Sequence, residues 1–479
     1  MFLEIQEAVR QKFRQVILDL FNVEVESPAL GYPPSPDMGE ISITSCFDLA
    51  KHLRQPPRKI AEQVAARLLP VEGVERISIA GPGYVNLHLD RAAMAASLFR
   101  MRAGRTAAPT ASLSAPASAP KILVEHTSIN PNKAAHIGHL RNAVLGDTLA
   151  RLLRFRGFPV EVQNYIDNTG VQVADVVVGF VHLEKLSIEG VRALIPGASG
   201  KRFDYLCWDL YARVSQHYQV HPEALALRHE TLKAIEEGSS EAAEMADLIA
   251  NAISRFHVET MLRLDIRYDL LVRESEILRL EFWKSAFELM KNIGAIRLEE
   301  TGKNRGCWVM SLGEELPSNQ GPTADAEDDV KIIVRSNGTV TYVGKDIAYH
   351  LWKFALLGKD FGYRRFYRYA GGQDLWCTAV SGEAGAPPFG KGAKAYAVID
   401  TRQSYLQDIV RRAFLALGYS EQAASLHHFA YEVVGLSPRC AIDMGMEVSE
   451  DDRRRGYVEV SGRKGLGIKA EDLINTLIE

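Results

Sequence analysis

Lys121-Ile122-Leu123-Val124-Glu125, a loop from Thr127 to Ala135, His136-Ile137-Gly138-His139 opening a helix-patterned run to Arg156, and then Val160-Glu161-Val162-Gln163-Asn164-Tyr165 form the stretch that decides the fold. Gly157-Phe158-Pro159 breaks the helical run before the second apolar strand. Strand, crossover helix and strand make a βαβ unit, which implies a parallel sheet covered by helices. Downstream the alternation returns, with a strand at Ala395 to Ile399, a helix from Ser404 to Leu417 and a strand near Phe429 to Val434. Between these blocks, Phe180 to about Ile293 is mostly helical and reads as an insertion, at about 180–300. Lys331 to Tyr342 reads as a hairpin around Asn337-Gly338. Residues 121–479 are therefore expected to form a Rossmann-like α/β domain with a parallel sheet and helical insertions.

Upstream, residues 106–120 are almost wholly Ala, Ser, Thr and Pro, the composition of a linker. Residues 1–105 before it carry their own pattern, that of a small α+β module. Phe2 to Leu20 has apolar residues at helical spacing, Ser45 is placed to cap a helix through Leu53, and Pro56-Pro57 opens another from Arg58 to Leu69. Gly81-Pro82-Gly83 is a turn leading into the alternating strand Tyr84 to Leu89.

The totals agree with a multidomain globular chain: 479 residues, 47% hydrophobic, and 56 Lys+Arg against 60 Asp+Glu for a net charge of −4. They exclude wholesale disorder, a collagen-like repeat and a disulfide-rich mini-scaffold. No apolar run approaches a membrane span, so no membrane partner is expected, and Met1-Phe2-Leu3-Glu4-Ile5 lacks the basic start of a secretory signal. Cys46, Cys207, Cys307, Cys377 and Cys440 are far apart and form no CxxC pair; they read as reduced thiols of a cytoplasmic protein. The mildly acidic total leaves a nucleic-acid partner open, because such binding depends on local basic patches.

His136-Ile137-Gly138-His139 falls at the first βα junction, where free N–H groups and the helix dipole favour phosphate. Two histidines three apart share a helical face, so both imidazoles can donate to one polyphosphate. Gly138 removes a side chain where a flat base approaches the backbone. Two blander readings stand beside this one: a histidine that caps the helix, and a zinc pair, for which no Cys/His cluster nearby completes a tetrahedron. A second basic constellation, Ser461-Gly462-Arg463-Lys464-Gly465, is a glycine-flanked loop suited to closing over a phosphoryl group. Arg453-Arg454-Arg455 reads equally as a solvated face or as RNA-facing.

These motifs together resemble the two signatures of class I aminoacyl-tRNA synthetases. The string Glu125-His126-Thr127-Ser128-Ile129-Asn130-Pro131-Asn132-Lys133, followed by His136 to Asn142 and Gly146-Asp147, is similar specifically to the arginyl-tRNA synthetase family. Tyr165 to Gln172, Tyr342-Val343-Gly344-Lys345-Asp346, Asp400-Thr401-Arg402-Gln403 and the N-terminal module extend the resemblance over nearly the whole chain. The resemblance implies ligation of L-arginine to tRNA(Arg) through an arginyl-adenylate, with ATP entering as its magnesium complex, no tightly bound cofactor and no resident metal. It implies that His136, Ile137, Gly138, His139 and Ser461 hold ATP, and that Lys133, Arg463 and Lys464 stabilise the phosphoryl transition state with His136, His139 and Ser461. It also implies that Asp346, supported by Tyr342 and Glu125, receives the guanidinium, while Asn130, Gln403 and His139 hold the amino-acid end. A guanidinium is planar, always charged and offers five donors, so such a pocket rejects lysine on geometry. A monomer is expected.

Two departures from the family pattern matter. The class consensus Lys-Met-Ser-Lys-Ser stands here as Glu459-Val460-Ser461-Gly462-Arg463, without either lysine. Lys133, three residues ahead of His136, fits the compensating lysine of arginyl enzymes, whereas Glu459 would repel phosphate unless it turns outward. The family's helical anticodon-binding domain is not seen before Glu479, so a truncated chain is expected, with a reduced, inactive or RNA-binding paralogue as the alternative. Another class I synthetase or a small nucleotidylyltransferase would share HxGH.

Overall fold

The deciding stretch is observed as strand β1 (Ile122–Glu125), helix α1 (Ile137–Phe155) and strand β2 (Val160–Ile166) in a computed structural model. The structure describes residues 2–103, 119–197, 200–311, 330–338, 340–432, 434–443, 447–459 and 467–478. β1 and β2 run parallel, with Ile122 opposite Val160 and Glu125 opposite Gln163. Five more strands join them: β3 (Leu270–Arg273), β4 (Gly362–Arg368), β5 (Asp374–Ala379), β6 (Lys394–Asp400) and β7 (Leu426–Tyr431). Their order across the sheet is β4-β5-β3-β2-β1-β6-β7. All neighbours are parallel except β4, which runs antiparallel to β5 at one edge. The chain builds outward from β1 through β2 to β3, then returns to lay β6 on the other side of β1. The carboxyl ends beside β1 are therefore a topological switch point, the crevice where open α/β sheets bind ligands.

The helical region departs from expectation in one respect. Leu270–Arg273, inside the segment read as an insertion, is a central strand of the sheet. All four of its residues are buried, so it carries no alternation to mark it. The helices before it, including α2 (Phe203–Val220) and Glu241–Leu262, close around their own core of Val177, Phe180, Phe203, Val214 and Ile249. The Asn337-Gly338 hairpin is also only partly formed. Val330–Val334 pairs with Trp308–Ser311, but its return arm is the single bridge Val334–Val340, and helix α3 (Tyr342–Lys353) starts at once.

The chain divides into two compact units, Met1–Ala111 and Ser112–Glu479. In the first, helices Phe2–Phe21, Cys46–Leu53 and Pro57–Leu68 pack on a four-stranded antiparallel sheet that includes Tyr84–Leu89. Val9, Phe13 and Ile17, one helical turn apart, are fully buried against Ile41, Ile60 and Val85, each contributing about 1.5–3 kcal/mol. Ser45 does not cap its helix through its side chain; its Oγ instead accepts from the Ala29 N–H at 2.7 Å, a partner sixteen residues away.

Candidate active site

The loop leaving β1 is strained and tightly held. Thr127 and Ser128 have φ of 76° and 42°, a conformation that costs an L-residue about 1–3 kcal/mol. Buried amides over-determine it: Asn142 Oδ1 accepts the Thr127 N–H at 2.6 Å and Asn164 Oδ1 the Ser128 N–H at 2.9 Å. Asn142 Nδ2 also donates to the Val398 carbonyl at 2.8 Å, so α1, β1, β2 and β6 meet at one point. Gly146 permits this approach, because a Cβ there would overlap the buried His126 ring.

His136 and His139 cap α1 reciprocally. The Gly138 N–H donates to His136 Nδ1 at 3.1 Å, and the His136 N–H donates to His139 Nδ1 at 3.2 Å. The rings stack with centroids 3.6 Å apart. The capping reading is met by the two Nδ1 atoms, which leaves the Nε2 atoms to the paired reading. With both Nδ1 atoms accepting, each neutral ring carries its proton on Nε2, where it can donate. Burial first, and then the nearby Lys133 charge, push His136 down to about 4. Burial, His136, His257 and Lys133 hold His139 well below the usual histidine range. The pair is a set of neutral donors, not a pair of cations. A Cβ on Gly138 would lie 3.0 Å from His136 Cε1, so this glycine makes room for the capping ring itself.

Two lysines flank the histidines. Lys133 is buried, with Nζ 4.6 Å from the Tyr211 ring centroid and 3.4 Å from Gln172 Oε1. Lys469 lies 4.9 Å from the Tyr205 ring and 5.2 Å from Trp208, and the Trp208 ring meets His136 edge-on at 6.5 Å. Lys469 also bridges His136 through its main chain, the Ile137 N–H donates to the Ile468 carbonyl at 3.0 Å, and the Ala470 N–H donates to Ala135 at 2.8 Å. Ser461, Arg463 and Lys464 lie outside the described residues. The chain that follows them is fastened directly to the HxGH loop. Before them, Glu459 pairs by its main chain with Gly435, and its side chain lies outside the described set. Arg453-Arg454-Arg455 is an exposed helical face on which Arg454 pairs with Glu450 at 3.7 Å.

An acidic slot lies at the ends of β1, β2 and β3. Glu125 ends β1, Asp167 follows β2, Glu274 follows β3, and Asp346 sits in the first turns of α3. Glu125 is ion-paired with the buried Lys353. Glu274 pairs with Lys345 at 2.8 Å and accepts from Tyr165 at 2.8 Å and Thr169 at 2.7 Å; these outweigh burial and hold it below the usual carboxylate range. Asp346 is different. Among the described residues no cation or hydrogen-bond donor meets its carboxylate, and burial, with Glu274 and Glu125 beside it, pushes it up to about 8. Burial and Glu274 likewise push Asp167 up to about 7. Four carboxylates meet two lysines here, so the slot keeps an excess of carboxylate that favours an incoming cation.

The sequence-derived residues converge on this edge. Glu125, Asn130, Lys133, His136 and His139 follow one another along β1, its loop and α1, and Asp346 reaches the edge on a helix docked against Glu125. Asn130 is half-buried in the loop, and Gln403 is half-buried in the turn just past β6. Tyr342 opens α3, but its side chain lies outside the described set. Glu125 supports the slot differently from expectation, since Lys353 already neutralises it. Glu274, Lys353 and Lys469 were not anticipated, and Lys345 stood in a quoted motif without a role of its own. Acids placed just past successive parallel strands were the signal available for Glu274.

A parallel sheet with its switch point beside β1, a reciprocal histidine cap on the first crossover helix and a late segment fastened to it define a class I aminoacyl-tRNA synthetase catalytic fold. Residues 110–360 match the family described as tRNA synthetases class I (R), catalytic domain, and residues 4–89 match the arginyl tRNA synthetase N terminal domain. An arginine–tRNA ligase of Pyrococcus abyssi is 33% identical over 491 residues, which span 100% of this chain and 71% of that protein. One of Thermococcus sibiricus is 34% identical over 406 residues, spanning 84% of this chain and 61% of that protein. The solved arginyl-tRNA synthetase of Thermus thermophilus superposes with a TM-score of 0.66 at 33% identity, covering 95% of this chain and 68% of the other. The chain belongs to the arginyl-tRNA synthetase family.

Proposed function

We propose that this chain ligates L-arginine to tRNA(Arg) with ATP. The observation that carries the reading is Asp346, a carboxyl without a cation among the described residues, set in an acidic slot on the same sheet edge as the two neutral histidines. The guanidinium supplies the charge that the slot lacks, and its planar fork engages Asp346 as an ammonium cannot. Asn130, His139 and Gln403 hold the amino-acid end, and Tyr342 and Glu125 frame the slot. The arginine carboxylate oxygen then attacks the α-phosphorus of magnesium-bound ATP. The bond to the β-phosphate breaks and pyrophosphate leaves. In the second step a hydroxyl of the terminal ribose of the tRNA attacks the arginyl carbonyl and AMP leaves.

His136 and His139 donate from Nε2 to the phosphate oxygens, with Ile137 and Gly138 against the nucleotide. Lys133 provides the cation on this side, and Ser461, Arg463 and Lys464 close from the other. Such a site works by positioning and by stabilising developing charge, without a tightly bound cofactor. The chain acts as a monomer in the cytoplasm, a compartment that its five free cysteines support. Among the described residues no helix is long and apolar enough to cross a membrane.

The test is single-turnover charging of tRNA(Arg) by excess protein with each amino acid in turn. Arginyl-tRNA alone is the expected product. Charging with another amino acid, or no charging while tRNA still binds, overturns the proposal, the second outcome favouring an RNA-binding paralogue.

A further inference from the structure

Helix α3 crosses the carboxyl ends of three neighbouring strands, and one stripe of it docks on each in turn. Lys345 Nζ donates to Glu274 Oε1 at 2.8 Å just past β3. One turn on, the Tyr349 hydroxyl donates to Gln163 Oε1 at 2.7 Å in β2. A further turn on, Lys353 Nζ donates to Glu125 at the end of β1. Lys353 is 1% exposed, a depth at which an ammonium is retained only against a fixed partner. The two lysines of this stripe thus take two of the four carboxylates of the slot, Glu274 and Glu125, while Asp346 lies on the adjacent stripe.

We propose that Lys345 and Lys353 are positioning residues that set specificity: each cancels one carboxylate beside Asp346, so that Asp346 meets an incoming guanidinium without the uncompensated charges of Glu274 and Glu125 next to it. The inference rests on the arginine reading above and names how that slot counts charge. Glu125 and Glu274 face Asp346 as repulsive neighbours, and Lys353 and Lys345 partly offset them. On the β2 side the Tyr165 hydroxyl donates to Glu274, and Asp167 is engaged by the N–H groups of Gly170 and Thr169 while its Oδ1 is buried without a hydrogen-bond partner among the described residues; burial and Glu274 raise it, and Lys345 lowers it. On the helix itself the neutral His350 donates from Nδ1 to the Asp346 carbonyl at 2.8 Å, and the Glu236 charge also favours the Lys345 ammonium. Without the lysines, Glu274 and Glu125 would repel the Asp346 carboxylate uncompensated, and it would hold its proton more tightly against an incoming guanidinium. With them, the guanidinium displaces the Asp346 proton more readily.

Calorimetric titration of arginine into the full chain, between pH 5.5 and 9, tests this. Lys345→Met is expected to move the pH midpoint of arginine affinity up by about one unit or more, with about a tenfold loss at pH 7 and unchanged ATP affinity. Lys345→Arg is expected to restore the midpoint. Glu274→Gln, which leaves Lys345 facing Asp346, is expected to move it down, a readout that survives if Lys345→Met does not fold. A Lys345→Met variant that weakens arginine by the same factor at every pH, or an unmoved midpoint in Glu274→Gln, overturns the charge-counting role while leaving the arginine reading intact. A wild-type chain that binds no arginine at any pH overturns that reading and this inference with it.

Discussion

Arginine affinity should rise steeply with pH in the neutral range, because the carboxyl that receives the guanidinium is protonated in the empty slot. Burial, Glu274 and Glu125 push Asp346 up to about 8, and Lys353 and Lys345 offset only part of this. At pH 6 about one molecule in a hundred then carries the carboxylate, and at pH 8 about half do. A bound guanidinium holds Asp346 ionised, so the association constant follows the ionised fraction and rises about fiftyfold between pH 6 and 8. Arginine does not blur the slope, since its guanidinium stays charged throughout. Titration calorimetry across this range, in buffers of different ionisation enthalpy, reads both the affinity and the protons released, expected to approach one per arginine near pH 6 and to fall as the pH passes 8. Asp346→Asn should bind weakly and lose most of the slope. A flat affinity profile in the wild type, or an unaltered slope in Asp346→Asn, would refute the reasoning.

Three further outcomes are expected. Because Asp346 is raised in the folded state above its usual 3.8, the fold keeps a proton that the unfolded chain loses, so its contribution to stability falls as pH climbs from about 4 to about 8; urea unfolding should show Asp346→Asn gaining on the wild type at pH 9 relative to pH 5. His136→Ala removes a helix cap worth about 1 kcal/mol, whereas His136→Asn retains capping; both should lose arginine activation, and an active Asn variant would reduce His136 to a cap. Gly146→Ala forces a Cβ into the His126 ring and should destabilise the chain by about 1–3 kcal/mol, with a wild-type melting temperature counting against the close packing.

The β1–α1–β2 unit was legible because each element is local: a short apolar run, a helical period and a breaker between them. The histidine pair was legible for the same reason, although its capping geometry, with both Nδ1 atoms consumed, emerges only in three dimensions. β3 escaped notice because a four-residue, fully buried strand has no period. The slot was half legible. Asp346 stands in a motif, but Glu274 is brought to it by strand order across more than a hundred residues of intervening helix and loop. That Glu125 is spoken for by Lys353 depends on a contact spanning 228 positions, which no local pattern encodes. The spacing of Lys345, Tyr349 and Lys353 was available in the sequence as one helical stripe. What that stripe docks on was not.

The central claim is that one crevice grips a polyphosphate beside the histidines and a guanidinium beside Asp346. A crystal structure of the chain with a non-hydrolysable arginyl-adenylate analogue tests it most directly. The guanidinium is expected against Asp346, with the phosphate mimic within hydrogen-bond distance of His136 or His139. An analogue that leaves Asp346 unoccupied, or whose two ends lie away from these residues, would contradict the account.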